Sequence, residues 1–300
     1  MLNPKITTFI ITLLLSLNVL SCSNNGNTIS NNPKVNTIDT NITQPTQQVK
    51  RIVALTSLAS DLIYNLDKTK LVGVPNSRYT DTIAKEKFAD FPKVGNNTAI
   101  NLEKIVSLKP DLVVGAGAFH DKYLAKLQEL GIKTVVYNTR SWQDLENQTK
   151  DIAQRIGTDP KPIIDRLQSN LSNIPSNNKS VLVLVSVQPT SSPNKNSWAG
   201  DLLQKFNYNN IAADFESTGR FKGYLTLSQE KILASNPDKI FITETSRTKP
   251  EEFKKLPFWN KLRAVQNNHV YTFHHDGLVS PTSIDTVEQV TKQLREIATK

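Results

Sequence analysis

The stretch "NLEKIVSLKPDLVV", residues 101–114, has the pattern of a short helix that runs into a buried strand. It returns in altered form as "SQEKILASNPDKIFI", residues 228–242, at a constant offset of 127 residues (230 − 103). The offset places Glu103 on Glu230 and the pair Pro110-Asp111 on Pro237-Asp238. A gapless match over a dozen residues, in the same helix–strand context, predicts an internal repeat of two related units.

Each copy opens with a residue suited to cap a helix, Asn101 in the first and Ser228 in the second. Glu103 and Glu230 then fall at the second helical position, where a carboxylate complements the helix dipole by about 0.3–1 kcal/mol. That local role explains either glutamate alone, and both are expected to point to solvent. The buried faces of the two helices are predicted to consist of Ile105, Val106, Ile232 and Leu233.

Around these copies, short apolar runs alternate with amphipathic segments of helical period. This alternation predicts an α/β fold with mostly parallel sheets covered by helices. From Ser141 to about Ile174 the pattern changes to two long amphipathic helices with no strand between them. The sequence therefore predicts an N-terminal lobe at 50–141, a helical linker at 142–175 and a C-terminal lobe at 176–300.

The first fifty residues have a different character. "MLNPKITTFIITLLLSLNVLSCS" carries one early lysine, a short apolar run and small residues before Cys22. This layout is typical of a secretory signal peptide, predicted at 1–21, and "VLSC" is similar to a bacterial lipoprotein signal in which Cys22 is lipidated. Residues 22–49 are rich in Asn, Thr, Ser and Gln, which predicts a flexible tether.

Composition excludes several classes of protein. The net charge of +9 is spread along the chain without a basic block, and aromatic residues make up only 7%, so we expect no nucleic-acid binding. The single cysteine rules out an intramolecular disulfide bond. The sequence has no G-x-S-x-G, H-E-x-x-H, P-loop or G-x-G-x-x-G motif, so we expect no enzyme activity and no cofactor, with a hydrolase lacking local signatures as the alternative.

Five segments together resemble the substrate-binding proteins of ABC importers for iron chelates and vitamin B12. They are "RIVALTSLASDLIYNL", "KLVGV", "VGNNTAINLEKIVSLKPDLVV", "LGIKTVVYN" and "FWNKLRAVQNNHVYTF", and the resemblance covers about residues 50–295 in the family's order. It implies two α/β lobes joined by a rigid helical linker, with the ligand in the cleft between the lobes.

The resemblance also implies a membrane partner. In that family one exposed glutamate on each lobe docks onto arginines of the permease, and those positions fall on Glu103 and Glu230. One carboxylate on each lobe suits a symmetric permease dimer. We expect a monomer that is exported and tethered through lipid on Cys22, either at the outer face of the cytoplasmic membrane or in the periplasm.

The ligand is expected outside the carboxyl ends of the strands. Arginines in the loops there suit oxyanions, and neighbouring aromatic residues provide flat walls, which together favour an anionic chelate such as a ferric siderophore or ferric citrate. The predicted ligand-binding residues are Arg78, Tyr79, His120, Arg140, Trp142, Trp198, Arg220, Phe221, Tyr224, Arg247 and His275.

Other ligands remain open at this stage. His120 or His275 is a candidate axial contact to cobalamin or haem, although each also suits an ordinary loop position. The run His274-His275-Asp276 raises the question of a metal-ion site, but the chain has only four histidines. Sites for naked ions draw on several His and carboxylate ligands, so no metal site is predicted.

Overall fold

The computed structural model describes residues 48–217, 222–245 and 248–300. The predicted signal peptide, Cys22 and nearly all of the predicted tether lie outside this part of the chain. So do three of the predicted ligand-binding residues, Arg220, Phe221 and Arg247.

The strands of the described residues are mostly short. They are β1 (Ile52–Ala54), β2 (Leu71–Gly73), β3 (Gly95–Asn96), β4 (Ala99–Ile100), β5 (Leu112–Ala116), β6 (Lys133–Tyr137), β7 (Ser180–Leu184), β8 (Ser186–Val187), β9 (Thr190–Pro193), β10 (Asn209–Asn210), β11 (Tyr224–Thr226), β12 (Lys239–Glu244) and β13 (Val270–His274).

The helices vary from a single turn to four turns. They are α1 (Ser57–Asp67), α2 (Leu102–Ser107), α3 (Asp121–Glu129), α4 (Trp142–Ile156), α5 (Lys161–Ser169), α6 (Trp198–Lys205), α7 (Gln229–Ser235), α8 (Pro250–Phe253), α9 (Arg263–Gln266), α10 (His275–Leu278) and α11 (Ile284–Ala298).

Two four-stranded parallel sheets carry the architecture. The first has the strand order β2-β1-β5-β6 and the second has the order β10-β7-β12-β13. The two orders are the same path repeated, because in each sheet the chain steps outward to one side of the first strand and then returns to its other side. The predicted α/β fold with two lobes is confirmed.

The repeated motif occupies equivalent places in the two sheets. Helices α2 and α7 lead into strands β5 and β12, each of which pairs with the first strand of its sheet. Lys109 and Asn236, which the repeat aligns, both adopt left-handed backbone conformations, at φ 47° and 36°. Each helix thus ends in the same way before its proline, a common mode of helix termination.

The aspartates of the two Pro-Asp pairs tie neighbouring strands together. Asp111 Oδ2 accepts the backbone N–H groups of Lys50 and Arg51 at 2.9 and 3.0 Å, just before β1. Asp238 Oδ2 accepts the N–H and the hydroxyl of Ser180 at 3.0 and 2.7 Å, at the start of β7. Both copies therefore fix the amino end of the first strand of a sheet.

One face of each sheet packs toward a shared core. In β1 and β5, Ile52 and Val114 belong to a cluster that also contains Val183 of β7 and Phe241 of β12. The opposite faces form separate clusters, in which Ile105 of α2 and Ile232 of α7 hold equivalent places. One core prediction is wrong: Val106 is 42% exposed. The helix has fewer than two turns, so only one position of each turn meets the sheet.

The linker consists of two helices, α4 and α5, with a break between them. Gly157 ends α4 in a left-handed conformation at φ 74°. Asp159 Oδ1 accepts the Lys161 N–H at 2.9 Å at the start of α5. Helix α4 contacts α1 of the first lobe and α6 of the second.

Helix α11 also connects the two lobes. Its apolar residues Val287, Val290 and Leu294 join the shared core, and α11 contacts α1. On its outer side, Arg166 of α5 forms ion pairs with Asp285 and Glu288 of α11. The lobes are thus joined through a continuous apolar interior rather than through a single strand of chain.

Candidate functional site

The strand orders define one crevice in each lobe. In the first sheet the path changes direction between β1 and β5, and in the second between β7 and β12. Ligands of open α/β sheets collect outside the carboxyl ends of the strands at such switch points. The residues that directly follow these strands are 55–56 and 117–120 in the first lobe, and Val185 and Thr245 in the second.

These carboxyl edges meet where the lobes touch. Arg78, which follows β2, forms an ion pair with Asp276, which follows β13, at 2.8 Å between Nη1 and Oδ2. The guanidinium side chain is 45% exposed, whereas Asp276 is only 19% exposed and also accepts a hydrogen bond from Thr282. The predicted ligand residue Arg78 therefore lies at the edge between the lobes, already engaged by a carboxylate.

The two predicted tryptophans stack against each other in the interior. The rings of Trp142 and Trp198 lie 6.0 Å apart with a 10° angle between their planes, and each is 2% exposed. Trp198 Nε1 donates to the carbonyl of Gly277 at 2.7 Å, and the Trp142 N–H donates to Asp201 Oδ2 at 2.8 Å. Trp142 is the first residue of α4 and Trp198 is the first residue of α6, so the stacked pair connects the linker to the second lobe. Neither ring faces solvent.

The two predicted tyrosines also have partners within the protein. Tyr79 is 3% exposed, and its hydroxyl donates to Asp61 Oδ1 at 2.8 Å. Burial, reinforced by the Asp61 charge, raises the pKa of Tyr79 far above its usual value. Tyr224 is half-buried and donates to the carbonyl of Val279 at 3.0 Å, and burial likewise raises its pKa. Both phenols stay protonated, and Tyr79 belongs to the core.

His120 is fully buried, with both ring nitrogens engaged. Nδ1 accepts the Ala116 N–H at 3.0 Å, and Nε2 lies 3.1 Å from Asn97 Oδ1. This pairing requires the neutral ring with its proton on Nε2. Burial lowers the pKa of His120, against a smaller opposite effect of Asp121, so the neutral form is the stable one.

His275 lies beside the Arg78–Asp276 pair. Burial lowers its pKa, Asp276 raises it and Arg78 lowers it again. The ring is half-buried, so it lines the junction of the lobes without being sealed inside it.

Arg140 has the most open setting of the predicted arginines that the structure describes. It follows β6, and its backbone N–H donates to Asp144 Oδ2 at 2.9 Å. Its side chain is exposed and forms no ion pair or hydrogen bond with another described residue. A guanidinium in that setting is available to an anion.

Glu103 and Glu230 are both exposed, at the second position of α2 and α7. Asn101 and Ser228 cap these helices as predicted, accepting the N–H of Lys104 at 2.8 Å and of Lys231 at 3.3 Å. Hydrogen bonds from its own backbone N–H and from the Ser228 side chain lower the pKa of Glu230.

The ends of α2 and α7 show which edge of each sheet the glutamates occupy. Arg51 Nη2 at the amino end of β1 donates to the carbonyl of Leu108 at 2.7 Å, so the C-terminus of α2 lies at the amino edge. In the second lobe Asp238, just past the C-terminus of α7, binds the amino end of β7. Both helices therefore begin at the carboxyl edges, on the same side of the sheets as the crevices.

Two cavities border the carboxyl edges. One of about 530 Å³ lies in the second lobe beside the ends of β7 and β12. It is lined by Ser186, Val187, Gln188, Thr248, Glu252, Lys255, Leu256 and Pro257. A smaller one of about 220 Å³ lies between β6 and α4 in the first lobe.

Sequence reasoning missed the lining of the larger cavity, and it missed Phe119, a ring that is 42% exposed at the end of β5. The prediction named the next residue, His120, which is fully buried.

Among the described ranges, no group of three or more His, Cys, Asp or Glu side chains is placed to hold a metal ion. In the same residues no helix has both the length and the apolar character needed to cross a membrane.

The fold and its two crevices define a binding protein of the two-lobed α/β class, and comparison with known proteins agrees. Residues 52–276 match the family model described as periplasmic binding protein, and the chain belongs to this family. The predicted family resemblance is confirmed.

Three curated relatives have similar sequences. The uncharacterized ABC transporter substrate-binding lipoprotein YvrC of Bacillus subtilis is 27% identical over 83% of this chain and 81% of its own. The vitamin B12-binding protein of Vibrio cholerae is 28% identical, over 82% of this chain and 89% of its own. The Fe(3+)-citrate-binding protein YfmC of Bacillus subtilis is 25% identical, over 76% and 74%.

Solved structures agree on the fold. The periplasmic vitamin B12-binding protein BtuF of Vibrio cholerae matches with a TM-score of 0.63 and 27% identity, over 84% of this chain and 98% of its own. An ABC transporter substrate-binding protein from Listeria monocytogenes matches with a TM-score of 0.67 at 22% identity, over 83% and 98%. YvrC and the Listeria protein are named as substrate-binding proteins of ABC transporters. Both solved structures share the two-lobed architecture described above.

Proposed function

We propose that this chain is the substrate-binding lipoprotein of an ABC importer. In this role it captures an iron chelate of the ferric siderophore or ferric citrate type between its lobes and delivers it to a membrane permease. It performs no chemistry on the ligand. Relatives named for ABC transport, vitamin B12 and ferric citrate support the class of function and the class of ligand.

The observation that carries this proposal is the meeting of the two carboxyl edges. Two sheets with the same strand order each present a switch-point crevice, and the Arg78–Asp276 pair joins the two edges at 2.8 Å. A ligand held there touches both halves of the repeat at once. That placement suits a carrier, which has to enclose its cargo without altering it.

An anionic ligand suits the charges at this edge. Arg140 is exposed, and Arg78 is bound to a carboxylate that an anionic ligand can replace. Guanidinium groups bind carboxylate and other oxyanions through a planar fork of donors. His275 and Tyr224 border the same junction. Contacts from Arg220, Phe221 and Arg247, which lie outside the described residues, are part of the proposal. Four of the predicted residues are buried and bonded within the protein, so in this proposal they hold the elements around the ligand in place: Trp142, Trp198, Tyr79 and His120.

Docking to the permease uses Glu103 and Glu230. Both carboxylates are exposed on the crevice side of equivalent helices, one on each lobe. Exposed ion pairs at such an interface set orientation and encounter rate more than affinity. Two equivalent anchors match a permease dimer whose subunits present the same surface twice.

The second candidate ligand is cobalamin, favoured by the relative in Vibrio cholerae that is named for vitamin B12 binding. Haem, bound by the same fold, is the other alternative ligand. Lipid on Cys22 would keep the protein at the outer face of the cytoplasmic membrane or in the periplasm, as the lipoprotein relative suggests.

Equilibrium titration of the whole protein tests the proposal. The stacked Trp142–Trp198 pair lies where the lobes join, so ligand binding is expected to change tryptophan fluorescence. The titration uses a ferric siderophore, ferric citrate, haem and cobalamin in turn. We expect saturable binding of an iron chelate at one site per chain, and the absence of binding by all four ligands would refute the proposal.

A further inference from the structure

The loop that leaves β5 holds one aromatic ring at the surface. Residues 117–120 run from the end of β5 to the start of α3, at the switch point between β1 and β5. Phe119 in this loop is 42% exposed, while the next residue, His120, is fully buried. An exposed phenylalanine at the mouth of a crevice is a candidate ligand contact.

The backbone of this loop is held in an unusual conformation. The backbone of Ala118 lies in the left-handed region at φ 64°, a conformation that residues other than glycine rarely adopt. Its N–H donates to Asp121 Oδ2 at 3.0 Å, which fixes the turn. Gly117 lies against Asn138, whose side chain a Cβ atom at Gly117 would meet at 2.9 Å. Strained backbone of this kind tends to occur at functional sites.

His120 fixes the other end of the loop. Its ring accepts the Ala116 N–H and pairs with Asn97 in the β3–β4 hairpin. Tyr123 adds a second bond to that hairpin, from its hydroxyl to the Thr98 carbonyl at 2.9 Å. The loop is therefore fixed on both sides of Phe119, so the exposed ring has a defined position.

The loop after the neighbouring strand β6 carries a positively charged side chain, Arg140, at the same edge of the sheet. Strands β5 and β6 pair in parallel up to Ala116 and Tyr137, so the loops after them run side by side. Arg140 is exposed in the second of these loops, two residues beyond the Asn138 that contacts Gly117. An aromatic ring and a guanidinium are thus presented from adjacent strand ends.

We infer that Phe119 and Arg140 together select an anionic chelate with a flat apolar surface. The inference rests on the proposed function and narrows its ligand. Aromatic rings stack on flat π surfaces, and the guanidinium binds oxyanions. Ferric catecholates and haem combine both features, because each carries negative groups beside planar rings. Ferric citrate is anionic but has no flat apolar face for Phe119 to contact.

Binding titrations of the full chain test this inference with four probes: a ferric tris-catecholate, haem, ferric citrate and cobalamin. We expect wild type to bind the catecholate or haem more tightly than ferric citrate. Phe119→Ala should weaken that preferred ligand at least tenfold, and Phe119→Tyr, which keeps the ring, should retain affinity within about threefold. Arg140→Gln should also weaken it at least tenfold, more strongly at low salt than at high salt.

The controls use residues at the opposite edge of the same lobe. Leu130→Ala removes an apolar side chain that is 61% exposed, and Lys133→Gln removes an exposed cation at the amino end of β6. Both should leave affinity within twofold. Thermal unfolding of each variant checks that it is folded.

The outcomes separate the inference from the proposed function. If wild type binds a chelate but Phe119→Ala leaves its affinity within twofold, the inference is wrong and the function stands. A preference of wild type for ferric citrate has the same meaning, whereas a preference for cobalamin contradicts both the inference and the iron-chelate proposal in favour of the second candidate. If none of the four probes binds, both are wrong. If the inference holds, the tighter of the two preferred probes, the catecholate or haem, identifies the class of ligand.

Discussion

At the scale of single residues, Asp61 joins the two lobes through a buried carboxylate. Oδ1 accepts from the Tyr79 hydroxyl at 2.8 Å and from Lys87 Nζ at 2.6 Å. Oδ2 accepts the N–H of Ile284 at 2.9 Å, at the first residue of α11 in the other lobe. A negative charge there also complements the positive end of the α11 dipole.

Asp61→Ala should lower the free energy of unfolding by about 3 kcal/mol, because it leaves Lys87 and the first turn of α11 without their acceptor. Urea unfolding measures the change. Asp165→Ala is the matched control, since Asp165 forms an exposed pair with Lys161, and such pairs contribute little to stability. Equal losses in the two variants would contradict the role given to Asp61.

His120 makes stability depend on pH. Its pKa is lowered in the folded protein by burial, while in the unfolded chain it stays near 6.5. Below about pH 6.5 the unfolded state therefore binds more protons than the folded state. The free energy of unfolding decreases as the pH is lowered from 6.5 to the lowered pKa of the folded protein. The contribution is fully present above pH 6.5.

His120→Gln should reduce this loss, since glutamine does not titrate. We expect the difference in unfolding free energy between pH 7 and pH 5 to be smaller in the variant than in wild type. Part of the slope should remain, because burial lowers the pKa of His275 in the same direction. Identical slopes in wild type and variant would contradict the burial argument.

At the scale of secondary structure elements, the aspartate of each copy of the repeat holds the amino end of the first strand of its sheet. Asp111 binds two backbone N–H groups ahead of β1, and Asp238 binds Ser180 at the start of β7. Asp111→Ala and Asp238→Ala should each lower the free energy of unfolding by about 1.5–3 kcal/mol, as expected for hydrogen bonds to a charged group. Chemical unfolding checks this, with Asp214→Ala as the exposed control. A loss at only one site would refute the equivalence of the two copies.

The sequence predicted the repeat, its capping residues and the alternation of strands and helices. These features are local, because caps and apolar periodicity depend on neighbours within a few residues. It was wrong about Val106, since a helix of six residues presents little more than one turn to its sheet.

The positions of the predicted ligand residues depend on contacts between distant parts of the chain. Trp142 and Trp198 stack across 56 positions of sequence (198 − 142), and Trp198 reaches the carbonyl of Gly277. No local pattern distinguishes these rings from exposed loop aromatics. Phe119 was missed for the converse reason: its exposure follows from the fixed backbone at Ala118 and His120, which residue type alone does not indicate.

At the scale of the whole molecule, a shared core limits the motion of the lobes. The apolar cluster runs through both sheets and includes α4 and α11. Close-packed interiors of this kind resist gradual deformation. We expect ligand binding to move the backbone by no more than about 1 Å, as in preorganised complexes, so the radius of gyration should hardly change. Small-angle scattering with and without ligand measures it, and a large compaction would contradict the shared-core argument.

The central claim is delivery of a bound chelate to a permease through two equivalent carboxylates. Uptake of labelled iron chelate by cells that carry Glu103→Ala with Glu230→Ala, compared with wild type and with ligand affinity measured in parallel, tests it most directly. We predict unchanged affinity and abolished uptake, because the crevice that holds the ligand is intact but both docking carboxylates are lost. Unchanged uptake in the double variant would contradict the claim.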